Sequence, residues 1–190
     1  MCIYLAADSQ SITSCHDAME FLPSPRPRKQ KIYPHGNNNN NSVQALCDFE
    51  SDGGGWTIIQ KRSSGPKHEF DQNWTEYSNG FGSLDGNFWL GLENIHALTK
   101  NGDQELRIEL EDFEGEKAYA KYSNFSISSA SDFYRLSISG FDGNSTVEDS
   151  LTGHNAMRFT TKDKDNDNWD DGNCATSDGG GGGWWVSENT

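Results

Sequence analysis

The sequence lacks long hydrophobic runs and is short of basic residues. No window approaches the roughly 20 consecutive apolar residues that a membrane-spanning helix needs, which excludes insertion into a membrane. Only 15 Lys and Arg stand against 29 Asp and Glu, so the net charge is −14. Phosphate binding is driven by Lys and Arg that release counterions, so this acid excess makes a polyanion, nucleic acid included, a poor partner.

Motifs of catalysis are also absent. The five histidines include no HExxH pair, and the sequence contains neither a GxSxG nucleophile turn nor a GxxxxGK[ST] phosphate loop. Each histidine is therefore interpreted as a surface or structural residue. We predict that the protein is not an enzyme.

The hydrophobic residues that are present are few and large. They make up 33% of the chain, yet aromatic residues alone reach 12%. A core of this composition depends on a small number of big rings, and the aromatic content argues against disorder. At 190 residues, one domain is the default.

The four cysteines and the glycosylation sequons point outside the cell. Cys2, Cys15, Cys47 and Cys174 show no zinc-ligand spacing, and an even count favours disulfides in an oxidising, extracellular compartment. Candidate N-glycosylation sites occur at Asn40, Asn73, Asn124 and Asn144. Residues 2–7 are apolar, but they are too few and no basic residue precedes them, so they make a poor signal peptide.

Periodicity predicts a mixture of helices and strands. A helix is expected at 14–22, with Ser14 as its cap, and another at 93–100. Apolar alternation and β-branched residues predict strands at 43–49, 56–59, 105–113, 117–127 and 133–141, with the strand at 56–59 buried. Prolines, basic residues and an Asn run at 23–42 are typical of an exposed, variable loop of poor order. The predicted fold class is therefore α+β with long loops.

Acidic residues concentrate late in the chain, between Thr161 and Cys174. Asp163, Asp165 and Asp167 alternate, and a tight loop that converges their oxygens would need a hard cation to offset the repulsion. Calcium suits such oxygen ligands best. An EF-hand is rejected because its sixth position is Asn168 rather than Gly. A solvated acidic loop stays open as the alternative.

Seven segments, in order along the chain, resemble the fibrinogen-like (fibrinogen C-terminal) domain family. They are CDFESDGGGWTIIQKR at 47–62, NWTEYSNGFG at 73–82, NFWLG at 87–91, DSL at 149–151, FTTKDKDND at 159–167, NCA at 173–175 and GWW at 183–185. The resemblance implies a fibrinogen-like domain at 15–190, with 1–14 unassigned. It further implies an N-terminal subdomain at 15–55 that is closed by a Cys15–Cys47 disulfide and contains the loop 23–42. A central twisted antiparallel sheet follows at 56–142, and a calcium- and ligand-binding subdomain at 143–190.

The same resemblance implies the site residues. The family's calcium carboxylates match Asp165 and Asp167, with backbone carbonyls near Trp169 and Asp171 completing the shell. Compared with the common pattern of the family, this sequence has one extra residue between Asp167 and Cys174. Ligand-binding positions correspond to Asn173, Cys174, Ala175 and Asp178.

Two functions follow from the family. Ficolins, tachylectins and related lectins bind acetylated sugars beside the calcium loop, whereas fibrinogen, angiopoietins and tenascins engage proteins. We predict an extracellular, calcium-dependent, lectin-like domain that binds acetylated carbohydrate or a cell-surface glycoprotein in innate immunity, oligomeric through other segments. The alternative is a protein-binding signalling, adhesion or structural module.

The chain also departs from the family pattern. Asn189 stands where the family places the cysteine that pairs with the equivalent of Cys174, and the family residues that follow are missing, which leads us to expect a truncated member. A disulfide of Cys174 would therefore need Cys2 or another chain. The tryptophans are predicted to be core residues, with sugar stacking as the alternative for the last two: Trp56, Trp74, Trp89, Trp184 and Trp185.

Overall fold

In the computed structural model the chain folds as two units, Met1–Ile59 and Gln60–Thr190. The structure describes residues 11–24, 26–36, 41–63, 67–176 and 182–186. The helices are α1 (Cys15–Phe21), α2 (Trp74–Asn79) and α3 (Leu92–Thr99). The strands are β1 (Lys29–Ile32), β2 (Val43–Asp48), β3 (Trp56–Ile58), β4 (Gln60–Lys61), β5 (Phe81–Gly82), β6 (Phe88–Trp89), β7 (Leu106–Glu111), β8 (Lys117–Ile127), β9 (Leu136–Phe141), β10 (Phe159–Thr160) and β11 (Trp184–Trp185).

The first unit is a helix on a three-stranded antiparallel sheet of order β1-β2-β3. α1 begins with a capping box, in which the Ser14 hydroxyl accepts the Asp17 N–H and the Asp17 carboxylate accepts the Ser14 N–H. Cys15 and Ala18 on the inner face of α1 are fully buried. The disulfide between Cys15 and Cys47 joins α1 to β2, so the helix and the pairing predicted from the sequence are both confirmed.

Two features of this unit differ from the sequence analysis. β1 lies inside the segment 23–42 that was predicted to be a poorly ordered loop, and it pairs with β2 along its whole length. Gln30 and Ile32 are buried while Lys29 and Lys31, which alternate with them, are exposed, so the inward face of β1 offers one aliphatic residue and its hydrophobic pattern is weak. β3 is half-buried rather than buried, and it belongs to the first unit although the sequence boundary was set after residue 55.

The second unit contains the antiparallel sheet β7-β8-β9, against which α3 packs. The predicted strands at 105–113, 117–127 and 133–141 and the helix at 93–100 are confirmed, and their observed ends differ from the predicted ones by at most three residues. The alternation predicted for β7 fails at Leu110, which is 50% exposed at the end of the strand. Smaller antiparallel sheets of order β4-β6-β5 and β10-β11 complete the unit, and the α+β class is confirmed.

Aromatic rings form the core beside these smaller sheets. The Phe159 ring is fully buried, stacks on Trp89 at a centroid distance of 6.0 Å and meets Trp185 edge-on at 4.9 Å. Polar atoms of the same rings are satisfied, since the Trp89 indole N–H donates to the Tyr77 carbonyl and the Trp185 indole N–H to that of Tyr134. The prediction of an aromatic core is borne out by these residues.

Two glycines allow the backbone to cross itself next to this core. Gly80 ends α2 at φ +95° and Gly91 precedes α3 at φ +102°. A Cβ on Gly80 would lie 2.7 Å from the Leu90 carbonyl oxygen, and one on Gly91 would lie 2.8 Å from that of Asn79. Only glycine therefore fits at either position.

None of the helices in the described part of the chain combines the length and apolar character that crossing a bilayer requires.

Removal of the disulfide should destabilise the first unit. The bridge closes a loop with a sequence separation of 32, so replacing both Cys15 and Cys47 by Ser should lower the free energy of unfolding by about 3 to 4 kcal/mol. Exchange of the β2 amide protons would measure the loss in this unit. Cys174→Ser is the matched control and should leave that exchange unchanged; equal exchange in all variants would contradict the role of the bridge.

Asp149 should make stability depend on pH. Burial raises the pKa of Asp149, but hydrogen bonds from Thr152, Leu151 and the Tyr122 hydroxyl outweigh it and bring the value to about 2. Because the folded pKa lies below the ordinary 3.8, the stabilisation is present above about pH 4 and disappears as the pH falls to about 2.

We expect Asp149→Asn to lower the free energy of unfolding by about 1 kcal/mol at pH 7, after allowance for solvent screening. Near pH 2 the difference in free energy of unfolding between the variant and the parent should be smaller. Urea denaturation at the two pH values measures this, with Asp170→Asn at an exposed position as the control. A gap that is independent of pH would contradict the assignment.

Candidate functional site

The candidate site is the segment 161–176, called here the acidic loop, and the aromatic core anchors it. β10 leads into the loop and pairs with β11, with Phe159 opposite Trp185 and Thr160 opposite Trp184. Thr160 and Thr161 are fully buried. The start of the acidic loop is thus fixed by the same rings that form the core.

A tight turn opens the acidic loop and uses Asp163 as its support. Thr161 and Lys164 exchange backbone hydrogen bonds of 3.0 and 3.1 Å. One carboxylate oxygen of Asp163 accepts the Thr161 hydroxyl at 2.8 Å and the Trp74 N–H, at the start of α2, at 2.9 Å. Burial raises the pKa of Asp163, but these hydrogen bonds lower it below its usual value.

The expectation that Asp163, Asp165 and Asp167 converge on one cation is therefore wrong for Asp163. Its carboxylate holds the turn against α2, a role that a stretch of alternating aspartates does not reveal. Within the described residues, no group of three His, Cys, Asp or Glu side chains is arranged to bind a metal. Any cation in the acidic loop would depend on two carboxylates and on backbone oxygens.

Two asparagines hold the loop to the buried strand. The Asn166 N–H donates to the Thr160 hydroxyl at 3.1 Å, and its side-chain amide donates to the Phe159 carbonyl at 2.8 Å. The Asn173 amide donates to the Thr161 carbonyl at 3.0 Å, and its oxygen accepts the Ala175 N–H at 2.8 Å. The sequence analysis assigned no role to Asn166. The feature that could have identified it is its amide, which can donate as well as accept hydrogen bonds, whereas the neighbouring carboxylates can only accept them.

Asp167 closes the second half of the loop. One of its carboxylate oxygens accepts the Trp169 N–H and the other accepts the Cys174 N–H, both at 2.8 Å. The Asp167 N–H in turn donates to an Asp165 carboxylate oxygen at 3.3 Å. The fold therefore brings the predicted ligand residues Asn173, Cys174 and Ala175 beside the predicted metal carboxylates.

Cys174 is a half-buried thiol in this arrangement. Burial raises its pKa to about 11, and a hydrogen bond to Asp167 and the charge of Asp165 add to the effect. Asp165 and Asp167 lie close together, because the Asp167 N–H donates to the Asp165 carboxylate.

The residues present fit a hard divalent cation. Asp165 and Asp167 offer carboxylate oxygens, and the backbone carbonyls between Asp167 and Cys174 are further oxygen donors; that of Trp169 accepts the Gly172 N–H at 3.4 Å. Oxygen donors of this kind suit calcium. The assignment of calcium to Asp165, Asp167, Trp169 and Asp171 stays a prediction.

Other predicted residues fall in different places. Asp178 and Asn40 lie outside the described residues. The remaining sequon asparagines, Asn73, Asn124 and Asn144, are exposed, as glycosylation would require. Trp89 and Trp185 are buried core residues, whereas the other tryptophans that were predicted to be core residues are half-buried: Trp56, Trp74 and Trp184. Glycosylation and sugar stacking on Trp184 stay predictions.

Comparison with known proteins agrees with this geometry. The family model for the C-terminal globular domain of fibrinogen beta and gamma chains matches residues 12–189. Among curated proteins, angiopoietin-related protein 1 is 46% identical in human and 45% in mouse over 150 residues. The match covers 79% of this chain but 29% of those relatives, so the chain spans less than a third of their length.

Solved structures show the same likeness. The fibrinogen-like globe domain of human ANGPTL2 superposes with a TM-score of 0.82 at 40% identity, covering 92% of this chain and 76% of that one. Lamprey fibrin D-dimer, complexed with the peptide Gly-His-Arg-Pro-amide, superposes with a TM-score of 0.72 at 30% identity, covering 98% of this chain and 62% of that one. With its disulfide, its aromatic core and its acidic loop, this chain belongs to the fibrinogen C-terminal domain family.

Proposed function

We propose that this chain is an extracellular recognition module that binds a protein partner through the surface around the acidic loop. The observation that carries the proposal is its 46% identity to angiopoietin-related protein 1 over 79% of the chain. A related structure, lamprey fibrin D-dimer, binds a short peptide, which supports a polypeptide ligand. Both observations favour the alternative prediction, a protein-binding signalling or adhesion module, over the prediction of a lectin-like domain.

An extracellular location is supported by the disulfide and by the sequons. The Cys15–Cys47 bridge persists only in an oxidising environment, as outside the cell. The exposed Asn73, Asn124 and Asn144 would be accessible to the glycosylation machinery of the secretory pathway.

Binding rather than turnover is supported by how the loop uses its polar groups. Asp167 and Asn173 are engaged by the loop's own backbone, and Asp163 accepts the Trp74 N–H of α2, in hydrogen bonds of 2.8 to 3.0 Å. Groups arranged in this way fix the shape of a surface, and a shaped surface is what recognition needs.

We also propose that calcium completes the acidic loop. The ion would bind the carboxylates of Asp165 and Asp167 and the carbonyls near Trp169 and Asp171. It would offset the repulsion between neighbouring carboxylates in a chain of charge −14. Asp167 also accepts the Cys174 N–H, so an ion on this carboxylate would stabilise the position of Asn173 to Ala175.

Binding of acetylated carbohydrate and a role in innate immunity stay predictions from the family resemblance. The angiopoietin-related relatives lend them no support. The experiment on partner binding therefore includes an acetylated sugar as a competitor.

Calcium should stabilise the folded chain by mass action. An excess of 100 times the dissociation constant contributes about 2.7 kcal/mol, which corresponds to a rise in melting temperature of roughly 5 to 10 °C. Asp165→Ala should remove this rise, because it removes one of the two proposed carboxylate ligands. Asp170→Ala, an exposed aspartate of the same loop, is the matched control and should keep it. Identical melting in excess calcium and excess chelator would contradict the site.

Binding of this chain to cells should require a protein on the cell surface and an intact acidic loop. The fluorescently labelled chain, followed by flow cytometry, should bind saturably in calcium, lose binding after trypsin treatment of the cells, and lose at least tenfold in affinity with Asp165→Ala. Excess N-acetylglucosamine should have no effect. Loss of binding in N-acetylglucosamine, with trypsin-treated cells still bound, would overturn the protein partner in favour of a glycan.

A further inference from the structure

Positive charge is concentrated in one segment of an acidic chain. Residues 21–47 contain four Lys or Arg and no Asp or Glu, although the whole chain carries 29 acids and a net charge of −14. The four are Arg26, Arg28, Lys29 and Lys31. The function proposed above makes no use of them.

The structure places two of these cations on one face of a strand. In β1 the side chains alternate, so Lys29 and Lys31 are exposed while Gln30 and Ile32 are buried. Same-face residues of a strand are about 6.7 Å apart, which spaces the two ammonium groups along the strand direction. β1 is an edge strand of its sheet as far as the described residues extend.

α1 covers the other face of the same sheet. Cys15 of α1 bonds to Cys47 of β2, and alternation puts Cys47 on the side opposite to Leu46, the residue that pairs with Lys29. Lys31 pairs with Gln44, which is also exposed. The lysines therefore lie on the face turned away from the helix and its acidic residues.

The two arginines have different roles. Arg26 is half-buried and donates to the carbonyls of Ala18 and Met19 at the end of α1, so it is a structural residue. Arg28 is exposed; its Nε donates to the Cys47 carbonyl at 3.2 Å, and its charge helps to lower the pKa of the Asp48 carboxyl. Arg28, Lys29 and Lys31 together form what we call the basic strand.

We propose that the basic strand binds a sulfated polysaccharide. Fixed sulfate charges along a linear chain match cations repeated along an extended strand, and affinity would come from counterion release. The net charge of −14 does not prevent this, because exposed charges are screened over about 8 Å at physiological ionic strength. The expectation that the acid excess disfavours any polyanion thus applies to the whole chain but not to this strand.

A membrane surface is a poorer match for the basic strand. Peripheral membrane binding usually combines basic residues with exposed apolar anchors. In the described range 26–36 no large apolar side chain is exposed: Ile32 is fully buried, and Lys31 lies over the half-buried Tyr33 ring at 5.5 Å. The strand therefore offers charge without an anchor.

Chromatography of the full chain on immobilised heparin, at pH 7.4 and with chelator present, tests the proposal. The parent should be retained and elute in a salt gradient, whereas Lys29→Gln/Lys31→Gln should elute at clearly lower salt and bind soluble heparin at least tenfold more weakly. The slope of log affinity against log salt should fall by about 1.5, as expected for two lost contacts. Lys100→Gln/Lys117→Gln removes the same charge from exposed positions of the second unit and should match the parent.

Three outcomes would overturn the proposal. One is no retention of the parent at 50 mM salt, and another is an equal loss in both double variants, which would show a response to net charge alone. The third is binding to phosphatidylserine vesicles without binding to heparin, which would indicate a membrane. Asp165→Ala should be retained like the parent, so failure of the calcium-loop function and failure of the basic strand are distinguishable. Equal denaturation midpoints would confirm that all variants are folded.

Discussion

The packing of Phe159 between Trp89 and Trp185 is the constraint on which the second unit depends. Phe159 is the first residue of β10, and Trp185 lies opposite it in β11, so both ends of the loop-rich segment are fixed in one aromatic cluster. A chain with 33% hydrophobic residues has few alternatives, because it has few apolar side chains and each large ring buries about 150 to 250 Å². The acidic loop between these strands can then lack regular structure and still occupy a defined position.

Polar residues of the acidic loop divide between support and ligand binding. Asp163 holds the opening turn against Trp74, and Asn166 ties the loop to the carbonyl of Phe159. Asp167 has both functions in our proposal, since it accepts the Trp169 and Cys174 N–H groups and remains next to Asp165. A carboxylate that is already positioned by backbone donors needs little reorganisation to accept an ion, so a site with two carboxylates could form in a segment without regular secondary structure.

Each unit contains one segment of concentrated charge, and the two segments are opposite in sign. The first has the basic strand, whose segment contains no acid from residue 21 to 47, and the second has the acidic loop. Because exposed charges are screened within about one Debye length, each surface would select its own ligand: a polyanion on the strand and a calcium-dependent partner at the loop. The net charge of the whole chain does not show that its basic and acidic residues are concentrated in different segments.

Local sequence patterns were sufficient to predict the family, the α+β class, the Ser14 cap, the Cys15–Cys47 pairing and the strands that alternate strongly, such as β8. These features depend on local patterns or on motifs of fixed spacing. Three features became evident only from the tertiary structure: Lys29–Ile32 form a strand, Leu110 is exposed, and Asp163 binds the Trp74 N–H of α2 instead of joining the other two aspartates. Each of these outcomes depends on a partner distant in the chain, β2 for the strand and Trp74 for Asp163, and local composition does not encode which distant residue will supply a hydrogen bond or cover a side chain.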